Sequence, residues 1–309
     1  MKKVLVTGGA GFIGSNLVDE LIEAGHQVVI IDDLSTGLAR NLNPQAKFYL
    51  ADIRDAALMR KIFDLEAPEI VNHHAAQMDV RRSVEEPVFD AECNIIGGIN
   101  LIKESVEHSA EKFIYASTGG AVYGEPDELP VTEEHTVNPE CPYGITKHTV
   151  EHYLHLYHGL YGLNYTVLRY PNVFGPRQNP LGEAGVNAIF IHQMLCGKTP
   201  TIFGDGEQLR DYVYVKDIVD ANLAAMVKGD NLIFNIGSGV GTSVNQIYRG
   251  LQEIIGFEHK AVYAPARAGE IYKIYLDAAK AKGELGWEPR ISFKEGLKRT
   301  VEWHRSTGN

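Results

Sequence analysis

The 309-residue sequence predicts an α/β fold, a doubly wound parallel sheet carrying a smaller α/β domain on its C-terminal side. Three observations carry that prediction. Short apolar strand patterns alternate with helical ones as far as Tyr170, a glycine-punctuated turn joins the first strand to the first helix, and an acidic pair ends the second strand.

Val4 to Thr7 read as a buried strand, and from Phe12 onward apolar residues recur at helical spacing. Between them stands Gly8-x-x-Gly11-x-x-Gly14. In such a turn one glycine permits the bend, one lets the backbone approach a phosphate, and one lets helix pack on strand. The free N–H groups at the helix start, around Phe12 and Ile13, then face a pyrophosphate. Gln27 to Ile31 form the second strand, which ends in Asp32-Asp33, 18 residues beyond Gly14. A carboxylate there can accept from both ribose hydroxyls of an adenosine. A lone glycine triplet would predict only a turn; strand, glycines, helix, strand and acid together predict dinucleotide binding in a Rossmann-type unit. Two carboxylates with no adjoining arginine repel a 2′-phosphate, so NAD rather than NADP is the expected cofactor.

The alternation continues with a strand at 47–50 closing at Asp52, a helix at 56–65, a strand at 69–72 and one long helix from 87 to 109. A strand at 112–116, a helix at 142–161 and a strand at 164–170 follow. This order implies helices on both faces of a parallel sheet, with ligands beyond the carboxyl ends of the strands. After Tyr170 the character changes. Residues 171–185 are rich in Pro, Gly and Asn, the composition of a binding loop. Helices are expected at 188–196, 215–226, 243–255, 277–285 and 294–304, and strands at 201–203, 232–235 and 261–263. Residues 1–172 therefore read as the cofactor domain and 173–309 as a substrate domain partly interleaved with it.

Composition narrows the partners. A net charge of −11 argues against a nucleic-acid groove or an anionic membrane surface. Cys93, Cys141 and Cys196 are too few and too scattered for a disulfide or zinc framework, so no metal is expected. The first strand begins at once, leaving no room for a signal peptide, and no run reaches membrane-spanning length. A cytoplasmic location is expected.

Reactive groups cluster in two later segments. In Tyr143-Gly144-Ile145-Thr146-Lys147 the helical i, i+4 spacing puts the ammonium beside the phenol. Near an ammonium and an oxidised nicotinamide the phenolate is favoured, the pKa falls, and the tyrosine can serve as a general base. An accidental aromatic–cation pair has the same spacing. Ser117-Thr118 place hydroxyls where a strand ends, and turn formation is their plainer role. His148-Thr149-Val150-Glu151-His152 matches the zinc-peptidase pattern H-x-x-E-H, yet it starts one residue after Lys147 on the same helix and lacks an evident third ligand. It reads better as a polar helix face, which His155 and His158 continue.

The opening Thr7-Gly8-Gly9-Ala10-Gly11-Phe12-Ile13-Gly14, the Ser117-Thr118 loop and Tyr143-x-x-x-Lys147 together resemble the extended short-chain dehydrogenase/reductases of the NAD-dependent epimerase/dehydratase family. Within the nucleotide-sugar branch the chain is most similar to the UDP-glucose (UDP-galactose) 4-epimerases. The resemblance implies an NAD-dependent isomerase of a UDP-sugar, assembled as a homodimer through the helices at 87–109 and 142–161. It implies Asp32, Asp33, Leu34, Ser35 and Gly37 around the adenosine ribose, and Asp52 and Ile53 at adenine. His74, Ala75, Ala76 and Gln77, supported by Asn94, would border the cofactor. Tyr143 would be the base, Lys147 the ribose anchor, and Thr118, with Ser117 as the alternative, the catalytic hydroxyl. Tyr170 and Asn172 would lie between nicotinamide and sugar, with Val186 also on the substrate side. Thr201 and Phe203 would form the uracil slot, Arg210 and Arg267 the diphosphate clamp, and Glu270 the uridine-ribose ligand. The same chemistry on N-acetylated or uronic acid sugars, or a cofactor binder without turnover, are the alternatives.

Two departures bear on the chemistry. The family's catalytic hydroxyl falls on Gly119 by simple count, so a local one-residue bulge is assumed and Thr118 chosen. In the 4,6-dehydratases and decarboxylases of the family, carboxylates follow the catalytic threonine; here Gly119, Gly120 and Ala121 follow it, and none can exchange a proton.

Overall fold

A computed structural model describes residues 1–180, 185–266 and 271–307. The alternation read from the sequence gives β1 (Lys3–Thr7), α1 (Phe12–Glu23), β2 (Gln27–Asp32), β3 (Lys47–Leu50), α2 (Ala56–Glu66) and β4 (Ile70–His73). Then come α3 (Val80–Glu85), α4 (Pro87–Ala91), α5 (Gly97–Glu107), β5 (Lys112–Thr118), α6 (Pro142–Tyr161) and β6 (Asn164–Tyr170). The later part holds β7 (Asn172–Phe174), α7 (Val186–Leu195), β8 (Thr201–Phe203), β9 (Leu209–Arg210), β10 (Tyr212–Tyr214) and α8 (Val215–Ala225). It ends with β11 (Leu232–Asn235), β12 (Thr242–Ser243), α9 (Val244–Ile255), β13 (Val262–Ala264), β14 (Lys273–Ile274) and α10 (Phe293–Thr307).

Seven strands form one parallel sheet in the order β11-β6-β5-β4-β1-β2-β3. Both faces are covered, which is why its strands read as nearly continuous apolar runs. Val4, Val6, Leu17, Val18 and Ile218 pack under α1 and α8 on one face. Leu5, Met59, Phe63, Leu101, Val150 and Leu154 pack under α2, α5 and α6 on the other. Strand order reverses beside β1, so the crevice for a ligand opens beyond the carboxyl ends of β1 and β4. A separate core of Phe174, Phe190, Tyr248, Leu251 and Val301 joins α7, α9 and α10.

Two elements depart from the sequence pattern. The expected helix at 87–109 is interrupted by a π-turn at Glu92–Ile96 and preceded by the unforeseen α3. The extra residue rotates Asn94 inward and lays Gly97 against Ile53, where a Cβ would stand 2.6 Å from the isoleucine side chain. Leu232–Asn235, expected among the substrate-side strands, pairs with β6 as the edge of the main sheet.

α6 is fixed to that sheet by a buried ion pair. Arg169 on β6 donates to both oxygens of Glu151, at 3.0 and 2.6 Å, and to the Tyr123 hydroxyl at 2.7 Å. Burial works to raise the Glu151 pKa, yet hydrogen bonds from His148, Arg169 and Ser117 hold it down at about 2. Because the folded pKa is depressed, the pair's contribution is complete above the free carboxyl's pKa near about 4.3 and is lost as pH falls toward the folded value. Arg169→Met leaves the carboxylate buried and uncompensated, and is expected to cost about 3–5 kcal/mol. Urea unfolding at neutral pH measures this; an unchanged midpoint would contradict the role given to the pair.

Candidate active site

The glycine turn is built by contact distance. Gly8 takes φ +71°, and a Cβ on it would lie 2.7 Å from the Ala75 nitrogen. On Gly14 a Cβ would fall 2.2 Å from the Gly8 carbonyl oxygen, so only glycine lets α1 approach β1. Gly11 is the N-cap of α1 and has no side chain to cap with, and no acidic residue stands in the first turn. The N–H groups there, at Phe12 and Ile13, keep an uncompensated positive end suited to a phosphate.

Asp32 is buried at the end of β2. Its carboxylate accepts from the Ala10 N–H at 2.9 Å and the Leu34 N–H at 2.8 Å, which leaves half of its acceptor capacity for a ligand. Burial pushes its pKa up and those two N–H groups oppose the shift. Leu34 adopts φ +58° to make the turn, and Gly37 lies so close that a Cβ would be 2.7 Å from Asp32 Oδ1. Asp33 is exposed and engaged by Ser35 through N–H and hydroxyl. This donor and acceptor set fits NAD: N–H groups for the pyrophosphate, a carboxylate for the ribose. At the next strand the Asp52 carboxylate is gripped by Arg54, and Ile53 is buried against Gly97.

The β4 loop forms the opposite wall. Thr7 Oγ1 accepts from the His74 and Ala75 N–H groups, and faces His73 Nδ1 at 2.7 Å. The His74 ring stacks on Tyr170 with centroids 6.0 Å apart. Burial, with the Lys147 charge adding, pushes His74 down to about 3, so the ring is neutral. Ala76 and Gln77 follow, and the Gln77 N–H donates to Asn94 Oδ1 at 2.9 Å. Asn94 also donates to Asp90 and Thr146, and Thr146 donates to Asp90 at 2.7 Å. The π-turn thus ties the cofactor wall to α6. The sequence reading missed Asp90, whose i, i+4 spacing from Asn94 was the available signal.

At the end of β5 strand alternation sends neighbouring hydroxyls to opposite sides. Ser117 is buried and donates to Glu151 at 2.6 Å, so its hydroxyl is spent on the ion pair. Ser117, the alternative hydroxyl, is thus directed into the ion pair. Thr118 is half-buried and its side chain stands near the Tyr143 phenol, where it favours the phenolate. No bulge is needed: Thr118 stays in register with Tyr170, and the Gly119 N–H extends the ladder to the Tyr170 carbonyl at 2.8 Å. A Cβ on Gly119 would lie 2.4 Å from Leu276.

Lys147 does not sit as the i, i+4 argument expected. Its Nζ donates to the Ala116 carbonyl at 2.7 Å and lies 4.8 Å from the Tyr115 ring centre. Burial lowers its pKa to about 8, against the pull of Asp90 and Glu151. In the chain alone Tyr143 is shifted up: burial leads, Cys141 and Asp90 add, and Thr118 opposes. The lowering expected beside an oxidised nicotinamide needs the charge of the bound cofactor.

Beyond β6, Tyr170 accepts from Asn222 Nδ2 at 2.7 Å, a partner that no motif or spacing indicates. Asn172 is the register partner of Tyr212, whose phenol feels the Arg210 charge. Arg210 Nη1 also donates to the Leu209 carbonyl at 2.9 Å. Val186 opens α7, while Thr201 and Phe203 stand on β8, paired with β13. Arg267 and Glu270 lie outside the described residues.

The chain is similar to known proteins along nearly its whole length. A model of the NAD dependent epimerase/dehydratase family matches residues 4–237. A putative UDP-glucose 4-epimerase of Methanocaldococcus jannaschii is 52% identical over 303 residues, 98% of each chain. A UDP-glucose 4-epimerase of Thermotoga maritima solved with UDP-glucose is 54% identical, with a TM-score of 0.98 over 99% of this chain and 100% of that one. One from Thermus thermophilus solved with NAD is 40% identical, with a TM-score of 0.93 over 98% and 99%. Matched along nearly its whole length as well as through its glycine turn, the chain belongs to the NAD-dependent epimerase/dehydratase family.

Proposed function

We propose that the protein is an isomerase that inverts C4 of a UDP-hexose, with UDP-glucose and UDP-galactose as the pair and NAD as resident cofactor. The observation that carries this reading is the Thr118 hydroxyl beside the Tyr143 phenol at the crevice, followed in the chain by Gly119, Gly120 and Ala121, none of them an acid. A dehydratase needs a proton donor next to the threonine. Here a side chain at 119 would strike Leu276, and nearby Glu125 is exposed and accepts from the Tyr272 and Lys273 N–H groups. Close relatives that carry the 4-epimerase name support the same reading.

In this reading Thr118 holds the C4 hydroxyl and Tyr143 takes its proton, then returns it from the same position. NAD held by the Gly8–Gly14 turn and Asp32 supplies the reversible oxidation of that carbon. Lys147, fixed by the Ala116 carbonyl, orients the cofactor ribose and contributes positive charge. Because burial opposes the Tyr143 anion, its use as a base depends on the positive charge of the bound oxidised cofactor. Asn172 and Val186 flank the sugar, Thr201 and Phe203 hold uracil, Arg210 and Arg267 clamp the diphosphate, and Glu270 takes the uridine ribose. Guanidinium forks match phosphate oxygens in pairs. Residues 1–172 would thus carry the cofactor and 173–309 most of the substrate.

Exposed Val84, Val88, Ile96, Ile145 and Leu156 on α3 to α6 support a homodimer through those helices. Three free thiols favour a reducing compartment, the cytoplasm. Among the described residues no helix is long and apolar enough to cross a membrane.

UDP-galactose incubated with the pure protein should yield UDP-glucose without accumulated NADH, CO₂ or a deoxy sugar. N-acetylated and uronic acid pairs run in parallel fix the preferred substrate; a pentose or 4-keto-6-deoxy product would refute the assignment. Tyr143→Phe should retain NAD and lose about a hundredfold to ten-thousandfold in turnover, the range for removing a general base. Loss of NAD from that variant would instead mark Tyr143 as a binding group. The apoprotein should prefer NAD over NADP in calorimetric titration, since Asp32 and Asp33 repel the 2′-phosphate; equal affinities would contradict that role. Light scattering should give twice the 34.2 kDa chain mass, and a monomer would remove the proposed interface.

A further inference from the structure

Glu125 has no part in the reaction described above, yet its carboxylate is engaged. It follows Val122-Tyr123-Gly124 on the loop that begins at Thr118, and it is exposed. It accepts from two consecutive backbone N–H groups, that of Tyr272 and that of Lys273, the latter at 3.1 Å. The other side of this peptide sets the contact apart from an ordinary turn. The Lys273 N–H and the Tyr272 carbonyl belong to one planar unit. That carbonyl accepts from the Leu209 N–H at 2.9 Å and from Arg210 Nη1 at 3.3 Å. A carboxylate thus stands at the N–H end of the unit and a guanidinium at its C=O end, and each charge polarises it in the sense the other favours. The Tyr272 side chain reaches further, its hydroxyl donating at 3.1 Å to Asp205 Oδ2 in the turn after Phe203.

We propose that Glu125 is a positioning residue for the nucleotide end of the substrate, holding the Tyr272–Lys273 peptide so that its carbonyl steers the Arg210 guanidinium onto the diphosphate. The proposal rests on the reading of Arg210 as a diphosphate clamp. β9 and β14 need such a tether, because each is two residues long and they pair in parallel, too little to fix their own register. The rest of the segment is already fastened to the loop that carries Thr118. The Val131 N–H donates to the Tyr275 carbonyl at 2.8 Å, the Asp277 N–H donates to the Val131 carbonyl at 2.8 Å, and Leu276 packs against Gly119. Glu125 extends that seam to the point where Arg210 is held. Without it the guanidinium regains rotamer freedom, and binding the diphosphate must then meet the entropic cost of ordering it. In this role Glu125 touches neither cofactor nor reacting atoms, so its effect falls on binding and not on the chemical step.

The test titrates NAD-loaded protein calorimetrically with UDP, which carries the clamped diphosphate without the sugar. Glu125→Ala should raise the Kd about threefold to tenfold, the size of one net hydrogen bond. Glu125→Gln keeps one acceptor oxygen and should raise it less. With UDP-galactose the loss should appear in KM rather than in kcat. In an Arg210→Ala background Glu125→Ala should weaken UDP no further, because both act through one contact. Bound NAD and the urea midpoint, which do not pass through Arg210, should match the parent protein. Equal UDP affinity in parent and Glu125→Ala, additive effects of the two substitutions, or a urea midpoint that falls together with affinity would each overturn the relay. A parent protein that binds NAD and no UDP would instead overturn the nucleotide-sugar reading beneath it.

Discussion

The approach of α1 to β1 is the constraint on which the rest of the molecule depends. A single methyl on Gly14 would put carbon 2.2 Å from the Gly8 oxygen, and one on Gly8 would collide with the β4 loop. Because neither methyl is present, helix, strand and loop converge on one small volume at the carboxyl edge of the sheet. The positive end of α1, the Asp32 carboxylate and the Thr7–His74–Ala75 hydrogen bonds all surround that volume. Shape is set there by sterics first, and charge is then arranged around it.

α6 makes the complementary arrangement with polar groups in place of contact distance. Tyr143, Lys147 and Glu151 follow one another at four-residue spacing and carry three unlike groups into low dielectric. Each is met by a different partner: Thr118 for the phenol, the Ala116 carbonyl for the ammonium, Arg169 for the carboxylate. A helix carrying so much buried polarity holds its place because every group is satisfied, and the π-turn through Asn94 and Asp90 anchors its first turn as well. That edge of the sheet is therefore held by the chain's own hydrogen bonds.

Most of the sheet was legible because strands buried on both faces are unbroken apolar runs, and the helices between them show a plain 3.6-residue period. Less could be read where one pattern serves two geometries. Residues 87–109 keep helical spacing through the π-turn, and only Gly97-Gly98 hint that the helix must pass close to Ile53. Leu232–Asn235 is recognisable as a strand, but three apolar residues and an asparagine do not say which sheet they join. At the site, Asp32 and the glycines were legible because motif spacing reports backbone geometry. The Tyr143 phenol shows the limit of spacing, which reports proximity, whereas burial raises the phenol's pKa in the chain alone. Ser117 and Thr118 are chemically alike in the sequence; it is the pleat of β5 that gives one to the ion pair and the other to Tyr143.

Gly119 carries a consequence for how this chain can change. Its α-carbon is pressed toward Leu276, which is itself buried among Val122, Tyr123, Val131 and Ile274. An acid at 119 would therefore need the Leu276 side chain to give way as well as a carboxylate to be supplied. At Gly120 a Cβ would meet only ordinary contacts, 3.7 Å from Asn172 and 3.8 Å from Thr118. Close-packed carbon thus makes the two positions unequal: a change at 119 drags a core side chain with it, and one at 120 does not.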